Sequence, residues 1–336
     1  MPIINPTALQ DDVARQKNAY PKNYILDQKQ QLFLQEVIQG LQQKQKTLPC
    51  KYFYDEKGSA LFEEICQLDE YYITRTELKL LDQIKHELAH KIGQDALIIE
   101  PGAGAGLKIQ TLLGALKNPH SYVPMDISKD FLFYSASIIQ HKFPQIEVLP
   151  IQVDFTQPIN WLDQKIQPNR VVFFPGSTLG NFEPSLAIQF LNNMRQLVGT
   201  KGAIILGIDQ LKSEQTLLQA YDDKQGVTAR FNKNLLSRIN KELYANFKLS
   251  QFKHQARFNK QLSRIEMHLV SQKNQQVSID GQHFNFAKHE SIHTENSHKY
   301  SDKMLHTIAS KAQLKIVQTW QDPQNLIKIY YLQPTE

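Results

Sequence analysis

One stretch constrains this chain more than any other, ALIIEPGAGAGLKIQTLLGAL at 96–116. ALIIE is a short apolar run, and Pro101 and a glycine turn end it before it reaches helical length, so it reads as a buried strand. Gly102, Gly104 and Gly106 follow at alternate positions. Ile109, Leu112, Leu113 and Leu116 then fall on one helical face. The unit is strand, glycine turn, helix. Similar apolar runs recur at 121–128, 146–155, 169–182 and 203–209, and a helical pattern at 185–198 carries Leu186, Phe190, Leu191, Met194 and Val198, with Gly199 as its stop. Strands separated by helical patterns imply crossover connections and a parallel sheet.

The flanks read differently. Residues 1–50 are rich in Gln and Lys with little periodicity, and a helix is expected only around 28–45. Thr74-Arg-Thr-Glu77 has the form of a capping box, with Leu78, Leu81 and Leu88 following, so a helix is expected to start there. Beyond 212 a polar helical segment gives way to QFKHQARF, SRIEMHLVS and QHFNFAKHESIHTE, which alternate apolar and polar residues as antiparallel strands do. A helix near 301–313 and two strands joined through Asp322-Pro323 close the pattern. Five parallel strands, an interruption, then a helix and a strand pair resemble the Rossmann-like methyltransferase fold, whose last two strands form a hairpin. The expected class is α/β, a class I methyltransferase sheet with an inserted α+β substrate-binding domain. The expected boundaries are a partly helical segment at 1–50, a sheet domain at 51–211 and 302–336 (with a helical substrate-site segment at 51–95), and an insertion at 212–301.

Composition excludes several classes. The chain has 38 basic and 33 acidic residues, and the small surplus is spread rather than clustered, so no phosphate-tracking surface and no nucleic-acid partner is expected. Cys50 and Cys66 are the only cysteines and form no C-x-x-C pair, which suits a reducing cytoplasm and offers no zinc spacing. His86 and His90 share a helix face but lack the glutamate of H-E-x-x-H, and exposure is expected. No apolar run approaches the roughly 18 residues of a membrane span, and the start has no signal-peptide pattern. The absence of heptads points to a monomer.

Ligands of open α/β sheets bind at the carboxyl ends of the strands. Glu100 ends the first strand there. Gly102, Gly104 and Gly106 let a backbone approach a ligand without Cβ clashes. Asp126, ending the second strand, can accept from both hydroxyls of a ribose. Asp154, ending the third, can accept from an adenine amine with Phe155 beside the ring. A glycine loop alone also serves NAD, a flavin or tight packing. The spacing G-x-G-x-G, the acid at 154 and the late strand pair suit a methyl donor better.

The motifs become specific when read in order: YFYDEKGSALFEEICQLDEYYITRTE, PGAGAGLK, FFPGSTLGNF, AYDDKQGVTARFNKN, RIEMHL and IHTENS. Together they strongly resemble the histidine Nα-methyltransferase family of the ergothioneine pathway, over about 50–331. That family adds three methyl groups to the α-amine of histidine, giving hercynine. The resemblance implies S-adenosylmethionine as methyl donor, held by Gly102, Gly104, Lys108, Asp126, Asp154 and Phe155, with no metal. It implies that Asn181 and Tyr221 hold the substrate carboxylate and that Tyr71, Glu295 and Ser297 meet the imidazole. Tyr54, Phe62 and Gly176 would line the amine and the methyl-transfer region, and Met267 would pack on the substrate ring. The glycine loop departs from the family, which more often has Leu after the Glu and Ser after the second Gly, and the first 50 residues match poorly.

Each residue also has a duller reading. Phe62 and Tyr71 suit a core, Asn181 a turn beside Gly180, Met267 a buried strand face between Ile265 and Leu269, and Glu295 and Ser297 a solvated loop. The ordered set favours function. A nucleic-acid amine methyltransferase would carry an N/D-P-P-Y/F string after the fourth strand, where this chain has PGSTLGNF. The alternative that stays open is a related enzyme methylating the amine of another small amino acid or metabolite.

Overall fold

The computed structural model describes residues 26–158 and 169–335. The expectations that fall on 1–25 and 159–168 lie outside the described residues. The run at 96–101 forms β1 (Ala96–Pro101), buried at every residue. Its glycine turn leads into α4 (Leu107–Leu113), preceded in the chain by α1 (Gln28–Leu41), α2 (Glu56–Gln67) and α3 (Tyr72–Ile92). Then follow β2 (Ser121–Asp126), α5 (Lys129–Lys142), the two-residue strands β3 (Glu147–Val148) and β4 (Ile151–Gln152), β5 (Asn169–Phe174), α6 (Pro184–Val198) and β6 (Ala203–Asp209). The later chain forms α7 (Glu214–Tyr221), α8 (Val227–Leu243), β7 (Phe252–Asn259), β8 (Arg264–Ser271), β9 (Gln275–Ile279), β10 (Gln282–Phe286), β11 (Ser291–His298), α9 (Asp302–Lys311), β12 (Leu314–Gln321) and β13 (Ile327–Pro334).

The chain groups into two compact units. The larger contains 54–228, 256–266 and 296–336, and the smaller contains 229–255, 267–295 and the residues up to Phe53. Parts of the stretch 212–301 therefore count with each unit.

The larger unit holds a sheet ordered β12-β13-β6-β5-β1-β2-β3, with β4 also paired to β2. The pairs β1–β2, β1–β5, β5–β6, β2–β3 and β2–β4 are parallel, while β13 runs antiparallel to both β6 and β12. This is the expected Rossmann-like class I methyltransferase sheet with its closing hairpin. Chain order reverses between β1 and β5, so their loops diverge and leave a crevice at the carboxyl edge. One face of the sheet packs on α6 and α9, where Phe174, Phe190, Leu191, Met194, Leu305 and Leu332 form a continuous core. A side chain such as Phe190, buried this fully, contributes about 1.5–3 kcal/mol.

Three local expectations change. The strand expected over 146–155 is split into β3 and β4 by Pro150, which has no N–H for the ladder. The strand expected over 169–182 ends at Phe174, before Pro175, and the chain then turns through a short 3-10 segment, Thr178–Asn181. The helix expected to begin at a capping box over 74–77 begins at Tyr72, and Thr74 and Glu77 lie inside it, both buried. His86 and His90 are exposed, as expected.

In the smaller unit, α1 carries Asp27 as a capping box with Gln30. The Arg238 guanidinium lies over the rings of Phe33 and Tyr52, and Phe247, Phe252 and Phe286 pack edge to face. β9 and β10 form an antiparallel hairpin; β11, β8 and β7, in that order, form a separate sheet whose residues count partly with each unit.

Candidate active site

The glycine loop leaves β1 with Gly102, Gly104 and Gly106 all at positive φ, +68°, +53° and +69°. Side-chain-bearing residues are strained there. The N–H groups of Gly102 and Ala103 donate to the Met125 carbonyl at 2.7 and 3.1 Å, which ties the loop to the end of β2. A Cβ on Gly102 would stand 3.3 Å from the Phe155 ring, whereas one on Gly104 would meet only the Gly102 carbonyl at 4.0 Å. The loop is thus a bare cradle between the β1 and β2 ends. An adenosyl group with ribose hydroxyls fits such a cradle: Asp126 sits half-buried at its side, accepting from Ser128 N–H at 2.9 Å and facing Gly104 N–H at 3.4 Å. Burial raises the Asp126 carboxyl above its ordinary range, and those N–H groups partly oppose the rise.

Asp154 accepts from Thr156, N–H at 3.1 Å and hydroxyl at 2.5 Å. Phe155 meets Phe174 and Phe190 edge to face, at 5.9 and 6.1 Å between ring centres. Glu100, at the foot of the loop, is fully buried and accepts from the Tyr122 hydroxyl. Burial pushes its carboxyl up to about 8, against the pull of Tyr122 and Lys108.

Across the crevice, β5 is followed by Pro175-Gly176, with Gly176 at φ +82°. Its N–H donates to both oxygens of Glu77, at 2.9 and 2.8 Å. The same carboxylate meets the Lys108 ammonium at 2.7 Å. Glu77 is 1% exposed, and a Cβ on Gly207 would fall 1.6 Å from its Oε1. This one carboxylate therefore fixes the first turn of α4 and the loop after β5 at once. The capping-box reading missed it. The signal was present in the helical stripe Ile73, Glu77, Leu80, Ile84, Leu88, where a carboxylate occupies a core position.

The expected substrate residues form a run of rings. Tyr54 and Phe62 stand 5.8 Å apart, Phe62 and Tyr71 6.2 Å, and Tyr71 and Tyr221 6.2 Å, each pair edge to face. At its end the Tyr221 hydroxyl lies 2.7 Å from Ser297 Oγ. Asn181, half-buried, closes the Thr178–Asn181 turn, and Gly180 lets that turn approach β11, since a Cβ there would lie 2.8 Å from the His298 carbonyl. The structure thus brings Tyr54, Phe62, Tyr71, Tyr221 and Ser297 together. It also joins Gly102 to Phe155, Gly104 to Asp126, and Gly176 to the Lys108 neighbourhood. Met267 and Glu295 belong to the smaller unit. Met267 is buried there, its carbonyl accepting from Thr294 Oγ1 at 3.1 Å, and the Glu295 carbonyl lies 3.0 Å from His293 Nε2.

Behind Tyr221 and Ser297 lies a polar cluster that the sequence reading did not single out. Asp209, the last residue of β6, is fully buried. It accepts from the Tyr72 hydroxyl at 2.8 and 2.9 Å, from Lys299 Nζ at 2.7 Å, and from Lys212 Nζ. Burial favours neutral Lys299, but Asp209 and Tyr221 more than offset this, so its ammonium stands above its ordinary range. Burial depresses Lys212, and Asp209 offsets only part of that. The rule that found Asp126, an acid at a strand's carboxyl end, applies equally to Asp209.

The family description "Histidine-specific methyltransferase, SAM-dependent" matches residues 33–334. Histidine N-alpha-methyltransferase of Mycobacterium tuberculosis is 35% identical over 85% of this chain and 90% of its own. Ergothioneine biosynthesis protein 1 of Schizosaccharomyces pombe is 27% identical over 83% of this chain and 38% of its own. The 4-dimethylallyltryptophan N-methyltransferase easF of Aspergillus fumigatus is 29% identical over 55% of this chain and 58% of its own. With a methyltransferase sheet, a glycine cradle beside Asp126, and likeness along nearly its full length, the chain belongs to the family of histidine-specific, S-adenosylmethionine-dependent methyltransferases.

Proposed function

We propose that the protein trimethylates the α-amine of free L-histidine, giving hercynine for ergothioneine synthesis. The observation that carries the reading is the unbroken run of rings from Tyr54 through Phe62 and Tyr71 to Tyr221, ending on Ser297. Bound S-adenosylmethionine supplies a methyl group already activated on a sulfonium. The residues of the chain then have to position a neutral amine, and good positioning alone is worth about 7–11 kcal/mol. Tyr221 and Asn181 hold the carboxylate, which fixes the distance of the α-amine from the cradle. Ser297 serves the imidazole, and the resemblance adds Glu295 to the other ring nitrogen and Met267 to the ring face. A pocket that hydrogen-bonds both ring nitrogens rejects amines that leave its groups unpaired. Tyr54 orients the amine or relays its proton to water. As methyl groups accumulate the nitrogen becomes a larger fixed cation, which aromatic faces accommodate without a counter-ion.

The reading extends to the setting: a monomer acting in the cytoplasm, with no metal, because a sulfonium methyl calls for no Lewis acid. Among the described residues no helix is long and apolar enough to cross a membrane. The likeness to a 4-dimethylallyltryptophan N-methyltransferase favours one second reading, another amino acid as acceptor. The test is mass spectrometry after incubation with S-adenosylmethionine and a panel of free amino acids. Trimethylated histidine with its mono- and dimethyl precursors supports the first reading. A methylated product from a different amino acid, with histidine untouched, supports the second.

A further inference from the structure

Lys299 is 0% exposed, and its ammonium has three protons to place. The structure accounts for all three. One goes to Asp209 Oδ2 at 2.7 Å, one to Ser297 Oγ at 2.7 Å and one to the Tyr221 hydroxyl at 3.1 Å. With three acceptors already around it, Lys299 is placed behind the substrate residues rather than against the substrate.

An ammonium only donates, so both hydroxyl oxygens accept from Lys299, and neither of their protons can turn toward it. In the structure the two hydroxyls also bond each other at 2.7 Å, with one proton between them. That mutual bond can be exchanged. When an amino acid arrives, Tyr221 and Ser297 can each give a proton outward while Lys299 continues to satisfy both oxygens from behind. Leaving a buried hydroxyl oxygen unmatched costs about 1–3 kcal/mol, and Lys299 removes that cost for two of them. A cationic donor also polarises each O–H and makes it a stronger donor to a carboxylate or a ring nitrogen. Asp209 holds the ammonium in place, and Tyr72 and Lys212 hold Asp209.

We propose that Lys299, held by Asp209, is a positioning residue for the acceptor amino acid, acting through Tyr221 and Ser297 to make both hydroxyls donors toward the substrate. The inference rests on the reading that this hydroxyl pair meets the substrate.

The test is a double-mutant cycle read by calorimetric histidine affinity in the presence of S-adenosylhomocysteine, with affinity for S-adenosylhomocysteine itself as the control for folding. The proteins are wild type, Lys299→Met, Tyr221→Phe/Ser297→Ala, and the three changes combined. Lys299→Met is expected to weaken histidine at least tenfold and to leave S-adenosylhomocysteine affinity within about twofold. In the Tyr221→Phe/Ser297→Ala background it should have less than a twofold further effect, because the hydroxyls through which it acts are gone. Loss of the same size in both backgrounds, or no loss in wild type, overturns the inference alone. Unchanged histidine affinity in Tyr221→Phe/Ser297→Ala overturns the site reading and this inference with it. If Lys299→Met does not bind S-adenosylhomocysteine, Lys299→Arg carries the same cycle. Arginine keeps the charge and the donors, so it should retain more affinity than Lys299→Gln, and equal loss in the two counts against the inference.

Discussion

Both carboxylate oxygens of Glu77 accept the single backbone N–H of Gly176, at 2.9 and 2.8 Å, while Lys108 closes on the same group from the glycine-loop side. A helix ahead of the sheet thereby ties the loop after β5 to the first turn after β1. Those are the two loops that border the crevice. The arrangement needs a bare Cα at Gly207, where a methyl group would collide with the carboxylate.

Gly207→Ala is therefore expected to be among the more damaging single changes in the chain. The added carbon has nowhere to go in a buried strand, and relief would require Glu77 to leave Gly176 and Lys108. Overpacking of this kind costs about 1–3 kcal/mol, and displacing a buried charge adds to it. Denaturant unfolding should show the loss, with weakened S-adenosylhomocysteine binding in calorimetry. A midpoint equal to wild type would refute the contact.

Glu100 makes stability depend on pH. Its folded carboxyl titrates near 8 because it is buried, well above the ordinary value of 4.5. Between those limits the folded state holds a proton that the unfolded state has released. Stability from this group is complete below about pH 4.5 and is lost as pH rises toward 8. Glu100→Gln mimics the protonated form at every pH, so its unfolding free energy should vary less across that window. The difference from wild type should shift in favour of the variant as pH rises. Parallel profiles for the two proteins would contradict the assignment.

Tyr54 separates chemistry from binding. Tyr54→Phe keeps the ring that faces Phe62 and removes the hydroxyl. Turnover is expected to fall by an order of magnitude or more, roughly 1.4 kcal/mol per factor of ten, while histidine affinity changes little. Steady-state kinetics alongside calorimetry would check this, and an equal loss in both would argue for a packing role.

Glu295 tests the acceptor. Glu295→Ala is expected to weaken histidine at least tenfold, about 1.4 kcal/mol, while affinity for S-adenosylhomocysteine holds. Unchanged histidine affinity would remove Glu295 from the imidazole site.

The sheet was legible because its central strands β1 and β6 are apolar runs buried at every residue, the pattern that burial on both faces produces. Strand ends were harder to read. Pro150 breaks a run that looked continuous by hydropathy, and the strand expected to reach 182 stops at Phe174. The glycine turn after β1 and the position of Asp126 at the end of β2 could be read because backbone geometry at strand ends is stereotyped, whereas Asp154, expected to end a strand, lies two residues beyond β4. Glu77 was misread because its position fits both the last place of a capping box and a buried helix stripe. Only the tertiary partners Gly176 and Lys108 decide between those readings. Lys299 escaped notice for a related reason: it meets Asp209 from 90 residues further along the chain, whereas Lys212 lies only three residues from Asp209 and the strand-end rule could have drawn attention to both.

The antiparallel strand β13 occupies the slot beside β6, pairing Ile327 with Asp209. During synthesis β6 leaves the ribosome long before its partner exists, so one flank of the sheet waits with open backbone groups. The carbonyl of Leu326, beside that strand, also receives Lys212 Nζ and the Gln210 N–H. The polar cluster behind Tyr221 and Ser297 can be completed only when the closing hairpin docks. Nascent chains should therefore gain a folded cradle first and a competent acceptor pocket last, which makes amino-acid binding a report on completed folding rather than on the cofactor half alone.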